Sequence, residues 1–265
     1  MTPVNDQFLP DASLSRAEME AMQDEIATAA VFDDALDFDI DDIATGDALV
    51  AGVDQAFLDD RAVSAVVVVR GGECVERVGA VTPLSIPYIP GLLAFREGEP
   101  IVAALERLDC EPDLLVLDGS GRIHFREAGI ATHVGVLFDV PAVGVAKNLL
   151  CGTPTASVDA LEAGDRVAIE ADDSMTAQNG EVVGYAYQSR QYPNSTRINP
   201  LYVSPGHRLS AKTAVDCVEA CGGDYKLPEP TRLADSYADE LKGRLRDGTV
   251  QGSPDGFGHS RDIND

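Results

Sequence analysis

Three β-rich runs that follow one another closely constrain the fold more than any other feature of this sequence. They occupy residues 49–57 (LVAGVDQAF), 62–70 (AVSAVVVVR) and 74–81 (CVERVGAV). The first link, LDDR, has the polar residues of a turn, and the Gly71-Gly72 pair in the second link is typical of a tight hairpin. Because strands joined by such short links run antiparallel, this part of the chain is predicted to form an antiparallel meander.

The sequence pattern changes after the meander. Residues 92–108 are helical in composition, but Gly98-Glu99-Pro100 predicts a break, with Pro100 in the first turn of a new helix. The apolar runs 114–117 and 142–146 are typical of buried strands, and the stretch 128–139 between them is helix-like. A meander followed by alternating helices and strands predicts a mixed α/β sheet, with its later strands parallel and helices flanking it.

The C-terminal part of the chain adds a hairpin and a helix to this prediction. The hairpin is expected across residues 167–170 and 182–188. The helix is expected to begin near Ser210 and to end at Gly222-Gly223. The sequence contains no internal repeat, so a single domain is the simpler interpretation.

Two segments at the ends of the chain differ in composition from this central domain. Residues 1–46 contain 12 acidic residues and one basic residue, and a short helix is expected over 15–30 with Ser15 as its N-cap. We interpret this segment as a solvated, partly ordered extension, with a docking segment as the alternative. Residues 246–265 are rich in Gly, Asp and Ser and are predicted to be a disordered tail. The domain itself is therefore assigned to residues 47–245.

The charge balance restricts the classes of function. Asp and Glu total 45 against 20 for Lys and Arg, which gives a net charge of −25 and excludes a generic basic nucleic-acid-binding domain. Only 4 of the basic residues are Lys, and an acidic, lysine-poor composition is typical of a protein that works in concentrated salt. Because the Debye length falls to about 3 Å in molar salt, this net charge permits an anionic substrate.

Cysteine usage and hydropathy indicate the cellular setting. The five cysteines have no CxxC spacing, so a disulfide framework or a zinc ribbon is not expected. The sequence has no apolar run of transmembrane length and shows no secretory signal at its N-terminus. We therefore expect a cytoplasmic protein without membrane contact, acting as a monomer.

Two aspartates indicate a metal site. Asp54 ends the apolar run VAGVD, and Asp118 ends the run LLVLD. A carboxylate that closes a buried strand is costly unless something compensates its charge, and a hard cation is the usual compensation. If the two strands are neighbours, both carboxylates reach the same point.

Three further residues are candidates for the same site. Glu97 precedes the expected helix break and could serve as a third oxygen ligand or as a general base. Lys147 closes the strand 142–146 and could hold a phosphate, although a simple counter-ion role is the alternative. His207 lies in SPGHR, interpreted as a turn entering the last predicted helix, where it could act as a ligand or a proton shuttle.

The segment PYIPG at residues 87–91 has two prolines that hold an apolar tip. Apolar side chains inserted at a base step can unstack it, so this segment is a candidate wedge between DNA strands. An ordinary proline-rich loop packed on the core is the alternative.

These segments together resemble the Endonuclease V family. The similar segments are AGVD at 51–54, PYIPGLLAFRE at 87–97, DGSG at 118–121, GIATHVGVLFDVPAVGVAK at 129–147 and VSPGHR at 203–208. LPEPTR at 227–232 extends the resemblance, which covers roughly residues 47–236. Several long motifs in the same order make it specific.

The resemblance implies an RNase H-like fold and a DNA repair enzyme. Such an enzyme nicks DNA at the second phosphodiester bond 3′ to deoxyinosine, with Mg²⁺ as its cofactor or Mn²⁺ as a substitute. It also implies roles for particular residues. The implied metal ligands are Asp54 and Asp118; Glu97, Lys147 and His207 complete the catalytic set; Tyr88, Ile89 and Pro90 form the wedge; and Leu93, Gly119, His124 and Leu150 line the pocket for the flipped base.

One segment departs from the family pattern. The family usually has HPRRFG where this chain has HFREAG at residues 124–129, which changes the expected phosphate contacts near the lesion. Two other functions fit the same residues: an inosine-specific endoribonuclease of this fold, and a non-catalytic binder of deaminated nucleic acid. The intact set of acidic residues and Lys147 favours an enzyme.

Overall fold

A nine-stranded mixed sheet is the centre of the structure, a computed structural model that describes residues 1–84, 86–194 and 197–249. The strand order is β3-β2-β1-β4-β5-β9-β8-β7-β6. The strands are β1 Leu49–Leu58, β2 Arg61–Arg70, β3 Glu73–Pro83, β4 Leu114–Asp118, β5 Ala142–Ala146, β6 Thr153–Pro154, β7 Arg166–Glu170, β8 Val182–Tyr187 and β9 Leu201–His207. The first three strands are the predicted antiparallel meander, and β1, β4 and β5 run parallel to one another.

The turns of the meander have the geometry that their residues predict. Leu58 pairs with Arg61 across the first turn. Gly71 and Gly72, in the second turn, have φ angles of 55° and 83°. Two consecutive residues with positive φ form the type I′ turn that matches the twist of a hairpin, and glycine adopts this conformation without a steric penalty.

Helices cover both faces of the sheet. They are α1 Arg16–Ala29, α2 Ile40–Thr45, α3 Leu93–Leu105, α4 Ile130–Phe138, α5 Ala211–Ala220 and α6 Glu229–Arg246. Because strand side chains alternate between faces, Ala51 and Val53 pack in the core with α3 and α4, whereas Val50 packs in the core with α5 and α6. The predicted mixed α/β architecture is confirmed. None of the helices in the described ranges has the length and apolar character to cross a bilayer.

Helix α3 corrects the prediction of a break at residues 98–100. It runs without interruption, and Pro100 lies in its interior. Proline there removes one backbone hydrogen bond, but Pro100, Ile101 and Leu105 are all buried, and the burial of this face offsets the loss. Gly98 allows close packing, because a Cβ atom there would lie 2.5 Å from Cγ of Pro10.

The N-terminal segment is also corrected, because residues 1–46 pack on the domain and are not a solvated extension. The expected helix is present as α1, and Ser15 and Glu18 form a capping box at its start. Its buried residues Met19, Gln23 and Ile26 lie on one face. The segment before it is fixed as well, since the backbone N–H of Val4 donates to the carbonyl of Leu137 at 2.9 Å.

The C-terminal elements match the prediction in part. The β7–β8 hairpin and helix α5, with Ser210 as its N-cap, lie where the sequence placed them. His207 differs, because it ends strand β9 and does not lie in a turn. Helix α6 was not predicted. The predicted tail begins at the last residue of α6, and from residue 250 onward it lies outside the described residues.

Candidate active site

Asp54 and Asp118 lie side by side on neighbouring parallel strands. Val53 of β1 pairs with Leu117 of β4, so the two aspartates occupy the next position of the register. Adjacent strands are about 4.8 Å apart, and both side chains point to the face covered by α5 and α6, since they alternate with Val53 and Leu117. The buried runs that end in an acidic residue therefore meet at one point, as the sequence indicated.

A third carboxylate, Asp235 of α6, completes this group. Its side chain forms a hydrogen bond with that of Asp54. Asp54 is only 6% exposed. Its burial, followed by the negative charge of Asp118, raises the pKa of Asp54 to about 8. A hydrogen bond between two carboxyl groups requires a proton on one of them, so the group carries more negative charge than it can hold without a cation.

Gly52 brings α6 close enough for Asp235 to reach Asp54. A Cβ atom on Gly52 would lie 2.0 Å from the backbone carbonyl carbon and oxygen of Pro230, so the helix rests directly on β1. Four residues of a helix rise about 6 Å and two residues of a strand about 6.6 Å. The distance along α6 from Thr231 to Asp235 is therefore about the same as the distance along β1 from Gly52 to Asp54, which brings the two aspartates together.

Asp235 was not predicted as a site residue because α6 was not predicted. The signal was present as an amphipathic pattern, since the buried residues of α6 recur at intervals of three and four. They are Pro230, Thr231, Ala234, Tyr237, Ala238, Leu241 and Leu245. That pattern could have located the helix. It could not have shown that Asp235 faces Asp54, because this depends on how the helix docks on the sheet.

Lys147 supplies a positive charge beside the carboxylates. It follows the end of β5, and its Nζ lies 2.6 Å from Oδ2 of Asp118. Partial burial opposes its charge, but the hydrogen bond and the negative charge of Asp118 raise the pKa of Lys147 above its ordinary value. Lys147 therefore stays protonated, and its half-exposed ammonium group can also contact a bound anion.

Glu97 lies on α3 within electrostatic reach of Asp118. It is 8% exposed, and burial raises its pKa to about 7, with a further contribution from the charge of Asp118. A carboxyl group with a pKa near neutrality can take up or release a proton at physiological pH. Glu97 thus has the properties of a general base, although it lies within a continuous helix and not at a break.

The donor set fits a hard divalent cation. The carboxylates of Asp54, Asp118 and Asp235 meet here, and the burial of Asp54 beside the negative charge of Asp118 leaves an excess of negative charge. In the described part of the chain, no three His, Cys, Asp or Glu side chains form a ready-made metal cage. Mg²⁺ suits such a site, because it commonly takes one or two protein carboxylates and completes its shell with water and phosphate oxygens.

The structure does not bring His207 to this group. His207 pairs with Ala142 at the start of β5, whereas Lys147 follows the end of β5, about 16 Å further along the strand. The Nδ1 atom of His207 accepts the backbone N–H of Val31 at 3.2 Å, so its Nε2–H donates to Asp139 at 3.1 Å. His207 therefore lies at the opposite end of β5 from the carboxylates, which does not fit the predicted catalytic role. There it joins the N-terminal segment to the domain.

The loop of residues 87–91 presents its apolar tip to solvent. Tyr88 is 65% exposed, and Pro90 is exposed beside it. Ile89 is half-buried and packs against a small cluster that contains Leu92 and Phe95. The loop is thus anchored at one side chain and free at its tip, which is the geometry that insertion between bases requires.

His124 connects the predicted pocket to this loop. Its Nδ1 accepts the backbone N–H of Arg126 at 3.2 Å, so its Nε2–H donates to the carbonyl of Gly91 at 3.1 Å. Burial lowers the pKa of His124 to about 4, which keeps the ring neutral. The other predicted pocket residues adjoin site residues along the chain: Leu93 begins α3, Gly119 follows Asp118, and the 40%-exposed Leu150 follows Lys147 by three residues.

A mixed sheet flanked by helices, with carboxylates and a lysine at the carboxyl ends of its central strands, defines a hydrolase of the nuclease class. The sequence matches the profile of the Endonuclease V family over residues 37–236. The chain therefore belongs to the Endonuclease V family, whose members are metal-dependent endonucleases of DNA repair.

The similar proteins cover almost the whole chain. Endonuclease V of Natronomonas pharaonis is 73% identical over 91% of this chain and 98% of its own length. Endonuclease V of Haloarcula marismortui is 57% identical over 91% of this chain and 97% of its own length. Both relatives come from halophilic archaea, in agreement with the salt adaptation that the composition indicated.

Solved structures of the family have the same fold. Endonuclease V of Streptomyces avermitilis superimposes with a TM-score of 0.73, at 34% identity over 89% of this chain and 95% of that one. Ciona intestinalis Endonuclease V, in complex with a 24mer DNA that contains an inosine followed by a ribo-adenosine, superimposes with a TM-score of 0.70. Its identity is 28%, over 86% of this chain and 98% of that one.

Proposed function

We propose that this protein is a DNA repair endonuclease that nicks DNA at the second phosphodiester bond 3′ to deoxyinosine. The cut leaves a 3′-hydroxyl and a 5′-phosphate, and it depends on Mg²⁺, for which Mn²⁺ substitutes. The observation that carries the proposal is the meeting of Asp54, Asp118 and Asp235, with Lys147 beside them, at the carboxyl ends of parallel strands.

Asp54 and Asp118 would hold the divalent cation, and Asp235 would share this task through its contact with Asp54. When bound, the cation supplies polarisation of the phosphodiester and a lowered pKa for water. The protein must supply the carboxylates in ionised form, so Asp54 gives up its proton when the site is filled.

Glu97 and Lys147 divide the remaining chemistry. With a pKa of about 7, Glu97 accepts the proton of the attacking water at its carboxylate oxygen. Lys147 is held by Asp118 at 2.6 Å and stabilises the charge that develops on the phosphate. His207 is left out of this scheme, because it lies at the opposite edge of the sheet.

The loop and the pocket would select the damaged base. Tyr88, Ile89 and Pro90 separate the strands, and His124 with Leu93, Gly119 and Leu150 surrounds the flipped hypoxanthine. Flipping a base costs a few kcal/mol, least for a weakly paired base, so a deaminated base is favoured over a normal one. The inosine-containing DNA bound by the Ciona intestinalis relative supports this substrate class.

A local group of cations explains how DNA approaches so acidic a chain. Burial lowers the pKa of Lys226, and the positive charges of Arg197 and Lys147 lower it further, so these three groups lie within electrostatic range of one another. Two of the chain's 4 lysines, Lys147 and Lys226, thus belong to this group, and Lys147 lies beside the carboxylates. Phosphates on either side of the cut can bind these cations although the net charge is −25.

The test is a nicking assay on matched oligonucleotide duplexes with and without a deoxyinosine. Each is incubated with Mg²⁺, with Mn²⁺ or with a chelator, over a range of KCl, and the cut is mapped on a denaturing gel. We expect a metal-dependent nick at the second bond 3′ to deoxyinosine. Asp54→Asn and Asp118→Asn should each lose nicking by at least about 10³-fold, because they remove cation binding.

The Asp54→Asn variant provides its own control for folding. An acid whose pKa is higher in the folded than in the unfolded state destabilises the fold above its unfolded pKa. Asp54→Asn should therefore raise the melting temperature while it abolishes nicking. Glu25→Gln, at an exposed acid on α1, should change neither quantity.

The alternatives are separated by further substrates. Matched strands with a ribonucleotide 3′ to the inosine, and fully ribonucleotide strands, are cut in parallel. Cleavage of inosine in RNA but not in DNA would replace the proposal by an endoribonuclease. Binding of deoxyinosine duplex without a nick under any metal condition would replace it by a non-catalytic binder.

A further inference from the structure

Helix α1 packs directly against the 87–91 loop. Met19 of α1 is buried with Leu92 and Phe95, and Ile89 of the loop packs on the same cluster. The side chain of Gln23 adds a directed contact, since its Nε2 donates to the carbonyl of Gly91 at 2.7 Å. The loop therefore rests on the N-terminal segment through apolar packing and a hydrogen bond.

The carbonyl of Gly91 is shared by two donors from different parts of the chain. It accepts Gln23 Nε2 at 2.7 Å and His124 Nε2 at 3.1 Å. Gly91 has a φ of 80°, a left-handed conformation that glycine adopts readily and in which the chain can pivot. The two hydrogen bonds thus fix the end of the loop at a glycine, the residue type whose backbone has the widest conformational range.

Gln23 is buried at a cost that packing does not explain. It is 1% exposed, and its Oε1 has no hydrogen-bond partner among the described residues. A buried acceptor without a partner destabilises the fold, because it has lost its hydrogen bonds to water. An apolar side chain of similar size would avoid that cost, so the hydrogen bonds that Nε2 donates, to the carbonyl of Gly91 at 2.7 Å and to that of Ala128 at 3.5 Å, are what distinguish glutamine here.

Two acidic residues of α1 also connect this helix to the segment that contains His124 and Arg126. Arg126 pairs with Glu20 at 3.0 Å and with Asp24 at 3.7 Å, and both acids lie on α1. The backbone N–H of Arg126 in turn orients His124. Helix α1 therefore contacts both segments that the proposed function assigns to recognition of the damaged base.

We propose that α1 is a brace for lesion recognition and that Gln23 is its positioning residue, which holds the 87–91 loop against His124. The inference rests on the proposed function, because it gives the loop the task of separating strands. Strand separation disrupts base pairing and stacking, so the loop must keep its position against the duplex. A loop that rotates about Gly91 does not keep it, so Gln23 acts on duplex DNA and has little effect on a base that is already unpaired.

The experiment compares two substrates with one preparation of each protein. Both contain the same deoxyinosine, in a fully paired duplex or in a single strand. Gln23→Leu keeps the volume of the side chain and removes its donor. We expect kcat/KM on the duplex to fall about tenfold, the factor that corresponds to one hydrogen bond of about 1.4 kcal/mol, and on the single strand less than twofold.

The ratio of the two rates is the decisive quantity, because it does not depend on the fraction of folded protein. Tyr88→Ala should change the ratio in the same direction, and Thr28→Ala, on the exposed side of α1, should leave it unchanged. Equal losses on both substrates, or no loss on the duplex, would overturn the inference. If the wild type cuts neither substrate, the proposed function itself fails.

A second variant keeps the test decisive if Gln23→Leu does not fold. The double substitution Glu20→Gln and Asp24→Asn weakens the pairing with Arg126 from the surface of α1. It should lower the duplex rate about threefold relative to the single-strand rate, consistent with the modest strength of exposed ion pairs. An unchanged ratio in this folded variant would count against the brace.

Discussion

Substitution of Gly52 by alanine tests whether the docking of α6 builds the active site. The added Cβ would lie 2.0 Å from the carbonyl carbon and oxygen of Pro230 and 2.5 Å from the nitrogen of Thr231. All three are backbone atoms, so no side-chain rotation can relieve the clash. Ordinary contact begins at 3.4 Å, and α6 must therefore move away from β1 by about 1.4 Å.

This displacement has two measurable consequences. Overpacking of this kind costs about 1–3 kcal/mol of folding free energy, which lowers the melting temperature by roughly 2–4 °C for each kcal/mol in a chain of this size. Asp235 moves with α6, away from Asp54. A displacement of about 1 Å in a catalytic group costs on the order of 10² in rate, so we expect Gly52→Ala to nick about 100-fold more slowly.

The assay is single-turnover nicking of deoxyinosine duplex with the enzyme in excess, beside a gel-shift measurement of binding to the same duplex. Binding should change little, because the 87–91 loop leads into α3, which covers the face of the sheet opposite to α6. Gly243→Ala is the matched control, since Gly243 lies in α6 with nothing within 4 Å of an added Cβ. It should stabilise the fold by about 0.5–1 kcal/mol and leave nicking unchanged. A wild-type nicking rate in Gly52→Ala would refute the reasoning.

Three other substitutions test the pH dependence of stability and the division of roles in the site. Burial lowers the pKa of His133 to about 4, below its unfolded value of about 6.5, so the unfolded state binds more protons between these limits and stability falls as the pH decreases through them. Between pH 7.5 and pH 5, the free energy of unfolding measured by urea denaturation should fall by about 2 kcal/mol less in His133→Gln than in the wild type. Parallel curves of unfolding free energy against pH for the two proteins would contradict this. Lys147→Ala should nick at least about 10²-fold more slowly at saturating DNA, whereas His207→Gln should stay within about twofold of the wild type. A large loss in His207→Gln alone would restore the catalytic role that the structure denies it.

Local features of the sequence were sufficient for much of the fold. The meander follows from alternating β-rich runs and the Gly71-Gly72 turn, because both act over a few residues. The start of α1 at Ser15 follows from its capping box for the same reason. Asp54 and Asp118 were recognisable as site residues because an acid that ends a buried run needs a compensating partner wherever the strand lies.

Three of the errors involve contacts between distant parts of the chain. The burial of α3 keeps Pro100 inside a helix that local preference would end. The acidic N-terminal segment looked solvated, yet its apolar residues Phe8 and Ile26 pack with residues of α3 and α4, and Gln23 hydrogen-bonds to the carbonyl of Gly91. His207 was assigned to the site from its neighbours in sequence, but the antiparallel pairing of β9 with β5 carries it to the far edge.

The sequence by itself determined the meander, the buried strands β4 and β5 and the start of α1, and it identified two of the acidic residues that meet, because secondary structure and the burial cost of a carboxylate depend on nearby residues. Only the tertiary structure decided that Asp235 joins Asp54 and that α1 supports the 87–91 loop. The first depends on how closely the backbone of α6 can approach Gly52, and the second on the hydrogen bond that the side chain of Gln23 donates to the carbonyl of Gly91. Such an approach is set by packing between elements far apart in the chain, and no local pattern records it.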